Sequence, residues 1–183
     1  MKKLVLIVVA ITLFSINSNA QGTFVKGTKV FKFGVGINGN GTPVEASYEA
    51  GVTNNFLGVK GMVLGLGASL GYYGYKEDMS TTTMLGTYKT SFKYSNIVIA
   101  GRALAHYPII KKLDTYAGII LGYNVAKASL DGDNAASMPI PSVGGVVWGG
   151  IIGARYEFNK NWGAYLELGK STANACLGVA YKF

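Results

Sequence analysis

The stretch Trp162 to Phe183, WGAYLELGKSTANACLGVAYKF, decides the fold. In its second half Ala175, Leu177, Val179, Tyr181 and Phe183 fall on one face, and Asn174, Cys176, Gly178, Ala180 and Lys182 on the other. That is the period of two of a β-strand. The first half repeats it, with Trp162, Ala164, Leu166 and Leu168 opposite Gly163, Tyr165, Glu167 and Gly169. A soluble sheet also alternates, but it rarely stops on an aromatic with nothing following to cover its apolar face. The pattern predicts a closing hairpin with one face in lipid.

Working back from that hairpin, six more runs alternate in the same way. Thr28 to Ile37 sets Phe31, Phe33, Val35 and Ile37 against Lys32, Gly34 and Gly36, and Pro43 to Val52 sets Val44, Ala46, Tyr48, Ala50 and Val52 against Glu45, Ser47, Glu49 and Gly51. Between them Asn38-Gly39-Asn40-Gly41 reads as a turn. The third run is Gly61 to Lys76, the fourth Tyr88 to Tyr107, the fifth Thr115 to Lys127 and the sixth Val146 to Phe158. Glu77 to Gly86 reads as a polar loop, Pro108 to Asp114 as a tight basic turn, and Ala128 to Gly145, with Pro139 and Pro141, as the longest irregular segment. Two strands in the terminal hairpin bring the total to eight. Each has at least roughly the 9 to 11 residues of a tilted membrane strand, give or take an end, and an even, closed set leaves no edge facing lipid. The expected fold is all-β, an eight-stranded antiparallel up-and-down transmembrane β-barrel. Tyr72, Tyr107, Tyr123, Trp148, Tyr156, Phe158, Trp162, Tyr181 and Phe183 fall toward strand ends, where interfacial aromatic girdles belong.

The amino-terminal residues read differently. Met1-Lys2-Lys3, the apolar run Leu4 to Phe14 and the exit Ser15 to Ala20 describe a signal peptide over residues 1–20, cut after Ala20. Gln21 stands where a lipoprotein would need Cys, so no lipid anchor is expected. Residues 21–183 then form one barrel domain. It is rich in Gly and Tyr (26 and 12 in the whole chain) and only 14% of the chain is charged, yet after residue 20 no uncharged apolar run reaches the roughly 18 residues of a spanning helix. Cys176 is the only cysteine, which excludes a disulfide framework and a multi-cysteine metal site. Without Lys2 and Lys3 the net charge falls from +8 to +6. The lysines are scattered and come with no basic helix or RNA-binding motif, so lipid phosphates, and not nucleic acid, are the expected partner of that charge.

The inward faces collect Lys32, Glu45, Glu49, Arg102, Arg155, Glu157, Glu167 and Lys182, four acids against four fixed bases. An eight-stranded barrel is too narrow for an open channel and fills with side chains. Charges enclosed there must find partners, because an unpaired one costs several kcal/mol. The balance predicts a salt-bridged, closed lumen, with a gated polar path as the alternative.

The alternating strands, Ser95 to Tyr107 (SNIVIAGRALAHY), Leu113 to Tyr123 (LDTYAGIILGY) and the closing Trp162 to Phe183 together resemble the small, porin-like outer-membrane β-barrel domain family of Gram-negative bacteria. The resemblance covers essentially the whole of residues 21–183 and implies a place in the outer membrane. It also implies outer-membrane lipid and lipopolysaccharide as surroundings, and the barrel-assembly machinery as a partner during insertion. The last strand of such barrels carries an insertion signal and ends in Phe, which puts that role on Tyr181 and Phe183. The family holds structural, adhesive and stress-associated members, attachment to a larger membrane protein complex is a further role open to this chain, and some small barrels are lipid A deacylases or palmitoyltransferases.

For this chain the residues favour a non-enzymatic barrel presenting extracellular loops, with no catalytic residue, cofactor or metal. A narrow channel and a lipid A-modifying enzyme are the alternatives. His106 is the only histidine and falls beside the turn at Pro108, with no evident nucleophile near it in the sequence. Gly34-x-Gly36-x-x-Gly39 has the spacing of a dinucleotide loop, but no helix follows. Lys76, Lys89, Lys93, Lys127 and Lys170 fall near the outer rim, placed for lipopolysaccharide phosphates or simply for solvent.

Overall fold

The computed structural model describes residues 23–37, 41–83, 86–131, 144–170 and 172–183. The predicted signal peptide and the turn residues 38–40 lie outside them. Eight strands follow in order: β1 Lys29–Ile37, β2 Val44–Asn54, β3 Val63–Thr83, β4 Gly86–Ile110, β5 Leu113–Asp131, β6 Gly145–Glu157, β7 Trp162–Gly169 and β8 Ala175–Lys182. Each pairs antiparallel with the next, and β1 pairs with β8 from Val30↔Lys182 to Ile37↔Ala175, so the sheet closes on itself.

The alternation read from the sequence is the alternation of burial. Along β1 every second residue is buried, from Val30 through Lys32 and Gly34 to Gly36, while Phe31, Phe33, Val35 and Ile37 are exposed. The same holds around the barrel, where Ile119, Leu121, Trp148 and Leu177 stand more than 60% exposed. In water so continuous an apolar surface would drive association; in a bilayer it is the face that belongs there. At the short-turn end, where β1 begins, β8 ends and residues 111–112 and 158–161 link the strands, Trp162 packs edge-on to Tyr181 and Tyr181 to Phe183, at ring centroid distances of 4.9 and 5.0 Å. Tyr72, Tyr123 and Trp148 ring the opposite end. From Trp148 to Tyr156 is eight residue steps, which at about 3.3 Å per residue and a tilt of about 40° spans roughly 20 Å, close to the apolar height of such a barrel.

Two connections differ from the sequence reading. Of Pro108 to Asp114 only Lys111 and Lys112 leave the sheet, with Lys112 in the left-handed region at φ 69°. Asp114 belongs to β5 and is buried. Glu77 to Gly86, expected as a loop, is strand: β3 and β4 stay in register through Thr83↔Gly86. The β2–β3 register stops at Val44↔Tyr72, β4–β5 runs to Ser91↔Asp131, and β5–β6 stops at Asn124↔Gly145. A three-stranded ribbon of β3, β4 and β5 therefore continues past the barrel rim. Residues 132–143 of the expected irregular segment lie outside the described residues, and β5 and β6 take up its two ends.

Candidate functional site

Lipid on one side of each strand leaves polar side chains only the other side to occupy, and the barrel interior gathers them into one connected file. At its centre Glu167 Oε1 accepts from three donors: Lys32 Nζ at 2.7 Å, Arg102 Nη2 at 2.6 Å and the Tyr116 hydroxyl at 2.8 Å. Arg102 Nη1 donates to Glu45 Oε1 at 2.9 Å, which carries the file toward the outer end. Lys32 also pairs with Glu49 Oε2 at 3.3 Å, and its ammonium lies 4.6 Å from the Tyr116 ring centroid and 5.5 Å from that of Tyr165. The rings add a cation–π contribution where no water screens it.

From Glu49 the file turns toward the short-turn end. Glu49 Oε1 meets His106 Nε2, and His106 Nδ1 lies 2.9 Å from Asp114 Oδ2. The same Asp114 oxygen accepts from Arg155 Nη2 at 2.8 Å, and Glu157 stands 3.9 Å from Arg155 and takes a bond from Lys182 Nζ at 2.7 Å. A ring that donates from both nitrogens is an imidazolium. With it, Lys32, Arg102, Arg155 and Lys182 make five cations for the five carboxylates of Glu45, Glu49, Asp114, Glu157 and Glu167.

All eight residues expected inside, Lys32, Glu45, Glu49, Arg102, Arg155, Glu157, Glu167 and Lys182, line the lumen, and the ion pairs join every one of them. Two members were not on that roll. His106 falls on the inward face by alternation but reads as an isolated base. Asp114 was assigned to a turn, although Asp114, Tyr116, Gly118 and Ile120 share one parity and only that regularity signals its place. Together the two bridge Glu49 to Arg155, so the file is continuous only through them.

Both mouths are covered. At the outer end the link between β7 and β8 turns inward, with Thr172 2% and Ala173 5% exposed. Thr172 occupies the room left by Gly71, where any Cβ would collide with the threonine side chain. At the short-turn end Phe24, ahead of β1, is buried against His106 with ring centroids 3.9 Å apart. Cys176 is buried with its Sγ 3.4 Å from the Tyr165 hydroxyl, a packing position. Among the described residues no group of three or more His, Cys, Asp or Glu is arranged to hold a metal ion.

No protein-family model matches the chain, and no curated protein does. Solved structures do. The attachment invasion locus protein Ail of Yersinia pestis, in complex with the heparin analogue sucrose octasulfate, is 15% identical with a TM-score of 0.51, over 87% of this chain and 100% of that one. Ail by itself gives 14% identity and a TM-score of 0.47 over 87% and 100%, and Ail in a phospholipid bilayer nanodisc 16% and 0.44 over 86% and 100%. The first likeness shows the fold, and it agrees with the closed sheet and its apolar belt: by fold the chain is a small, eight-stranded β-barrel.

Proposed function

We propose that this chain is a non-enzymatic attachment protein of the outer membrane, a barrel closed to solutes whose working surface is the ribbon of β3, β4 and β5. The observation that carries the reading is the face this ribbon turns outward. Lys76 stands directly across from Lys93, and Lys127 lies on the same face, its partner Ser95 two residues along from Lys93. Like charges directly opposite each other on a sheet are destabilising. A face that keeps them is suited to an anionic partner. Lys76 is four residues beyond Tyr72 of the girdle, roughly 10 Å farther out at about 3.3 Å per residue in a tilted strand.

Short turns lie at the end shared by both chain termini, and long strand ends at the other. In outer-membrane barrels the short turns face the periplasm, so the ribbon projects outside the cell. Ail, which has the same fold, was solved with a heparin analogue, and the lysine face offers this chain a ligand of that polyanionic class. Against a catalytic role stands the setting of His106: both ring nitrogens face carboxylates, which leaves neither to activate a nucleophile. Against a channel stands the unbroken file of ion pairs in a lumen already narrow.

The test compares the parent barrel with a variant in which residues 76–93 are replaced by a short turn, both displayed on cells over a heparin-coated surface. The shortened barrel is expected to reach the membrane and lose adhesion; equal adhesion would overturn the ribbon as the working surface. Liposomes with and without lipopolysaccharide separate an external polyanion from lipid phosphates as the lysines' partner. In planar bilayers the parent is expected to carry no steady current, and a steady current abolished by changing Arg102 would overturn the closed lumen.

A further inference from the structure

The segment that precedes β1 lies outside the strands and is mostly exposed, yet it carries one of the best-buried side chains of the chain. Phe24 is 1% exposed although it belongs to no strand. Its ring stacks on His106 at an interplanar angle of 22°, and the Arg155 guanidinium lies 5.4 Å from the ring centroid. Behind it stand Val30 of β1, Val63 of β3 and Ala180 of β8, all buried and in one cluster with it. One aromatic side chain thus covers the mouth against residues of five strands, β1, β3, β4, β6 and β8.

The backbone around Phe24 is seated as specifically as the ring. Lys182 Nζ donates to the Thr23 carbonyl at 3.4 Å, Lys26 N to Asn54 Oδ1 at 2.9 Å, and Gly27 N to the Gly51 carbonyl at 2.8 Å, while Gly51 N returns a bond to the Thr28 carbonyl at 2.9 Å. Gly51 is a notch. It lies at an inward position of β2, and a Cβ there would strike the Val25 carbonyl. No bond in this set belongs to the barrel's strand ladder, so all of them can break while the eight strands stay paired. The short-turn mouth therefore has a cover held by contacts separate from those of the wall, unlike the outer mouth, where the cover is the β7–β8 link itself.

We propose that Thr23 to Thr28 is a hinged stopper over the periplasmic mouth, seated by the Phe24 ring and the Gly51 notch, which governs whether water and small solutes in the periplasm reach the ion-pair file. The inference rests on the closed-lumen reading given above and adds a movable part to it. The ring covers the stretch of the file from His106 to Arg155, next to its periplasmic end at Glu157 and Lys182. Lifting the segment exposes that end and leaves the outer mouth shut, so the stopper controls access from one side and not conduction through the barrel.

The test uses a single reporter thiol at Val63, in a Cys176→Ser background, with the folded barrel in liposomes and a small charged thiol reagent on the side of the short turns. Phe24→Ala and, separately, Gly51→Val, which fills the notch without touching the ring, are each expected to raise the modification rate about tenfold over the reporter parent, the change that follows if opening becomes easier by one decade in population. Heat-modifiable mobility on gels checks that both variants fold. Neither is expected to pass steady current. Unchanged rates in both folded variants would overturn the stopper and leave the closed barrel standing. Steady current through the parent would instead overturn the closed lumen on which the stopper rests.

Discussion

Lys32 and Lys76 are the same residue on the same sheet, and the two regions they occupy treat charge in opposite ways. Lys32 is 1% exposed and meets Glu49 and Glu167 with two aromatic rings beside it. Lys76 is exposed and faces another lysine. In the lumen an unpaired charge is untenable, so the interior is balanced residue by residue, five carboxylates against four fixed cations and His106. On the ribbon water screens the repulsion between Lys76 and Lys93 at little cost, so selection for stability does not remove it. Pairing in the lumen therefore supports the closed barrel proposed above, whereas like charges set across from each other on the ribbon support a surface suited to an anionic partner.

That contrast breaks most severely at Glu167. One oxygen of this side chain serves Lys32, Arg102 and Tyr116, and Glu167→Leu would leave two cations in the lumen short of a carboxylate. Removing one partner of a buried pair costs about 3–5 kcal/mol, and the expected loss lies at the upper end because two cations share the partner. Urea unfolding of the barrel in lipid bilayers measures it. A loss under about 1 kcal/mol, the usual size for a solvated surface pair, would mean that water reaches the centre of the lumen, and the distinction between the two regions would collapse.

A smaller change at the other end of the file sharpens the comparison. Asp114 joins His106 to Arg155 through one oxygen. Asp114→Asn removes its charge but keeps a carbonyl in place to accept, so the expected loss is about 1–3 kcal/mol in the same unfolding measurement, below that of Glu167→Leu. An equal loss would show that the file fails as a unit wherever it is cut.

Asp114 also marks how far the fold and the site are readable in the sequence. Lipid against one face and side chains against the other impose a strict alternation, so the eight strands and most of the inward charges stand out from their period alone. Asp114 escapes because Lys111, Lys112 and Pro108 crowd it with turn-forming character, although β4 and β5 remain paired to within two residues of each other. Glu77 to Gly86 escapes for the opposite reason. Its residues do not alternate in polarity, so no pattern marks the pleat, and a paired strand carries the composition of a loop. Phe24 has no periodic neighbours; its burial depends on the shape of a mouth assembled from strands far along the chain.

The smallest expected change in stability belongs to the ribbon, and there the comparison turns from folding to binding. Lys76→Glu replaces the like-charged pair across from Lys93 with an opposite one, so the fold should lose nothing and the unfolding free energy should stay within about 0.5 kcal/mol, as for other exposed substitutions. Adhesion to a heparin-coated surface should fall all the same, because a cation is lost from the face and an anion is put among those that remain. The salt dependence separates the causes: if the lysines act through charge, added salt should weaken the parent's adhesion steeply and bring it toward that of Lys76→Glu. A variant as adhesive as the parent at every ionic strength would leave Lys76 and Lys93 as ordinary solvated charges, and the attachment surface would have to be sought elsewhere on the ribbon.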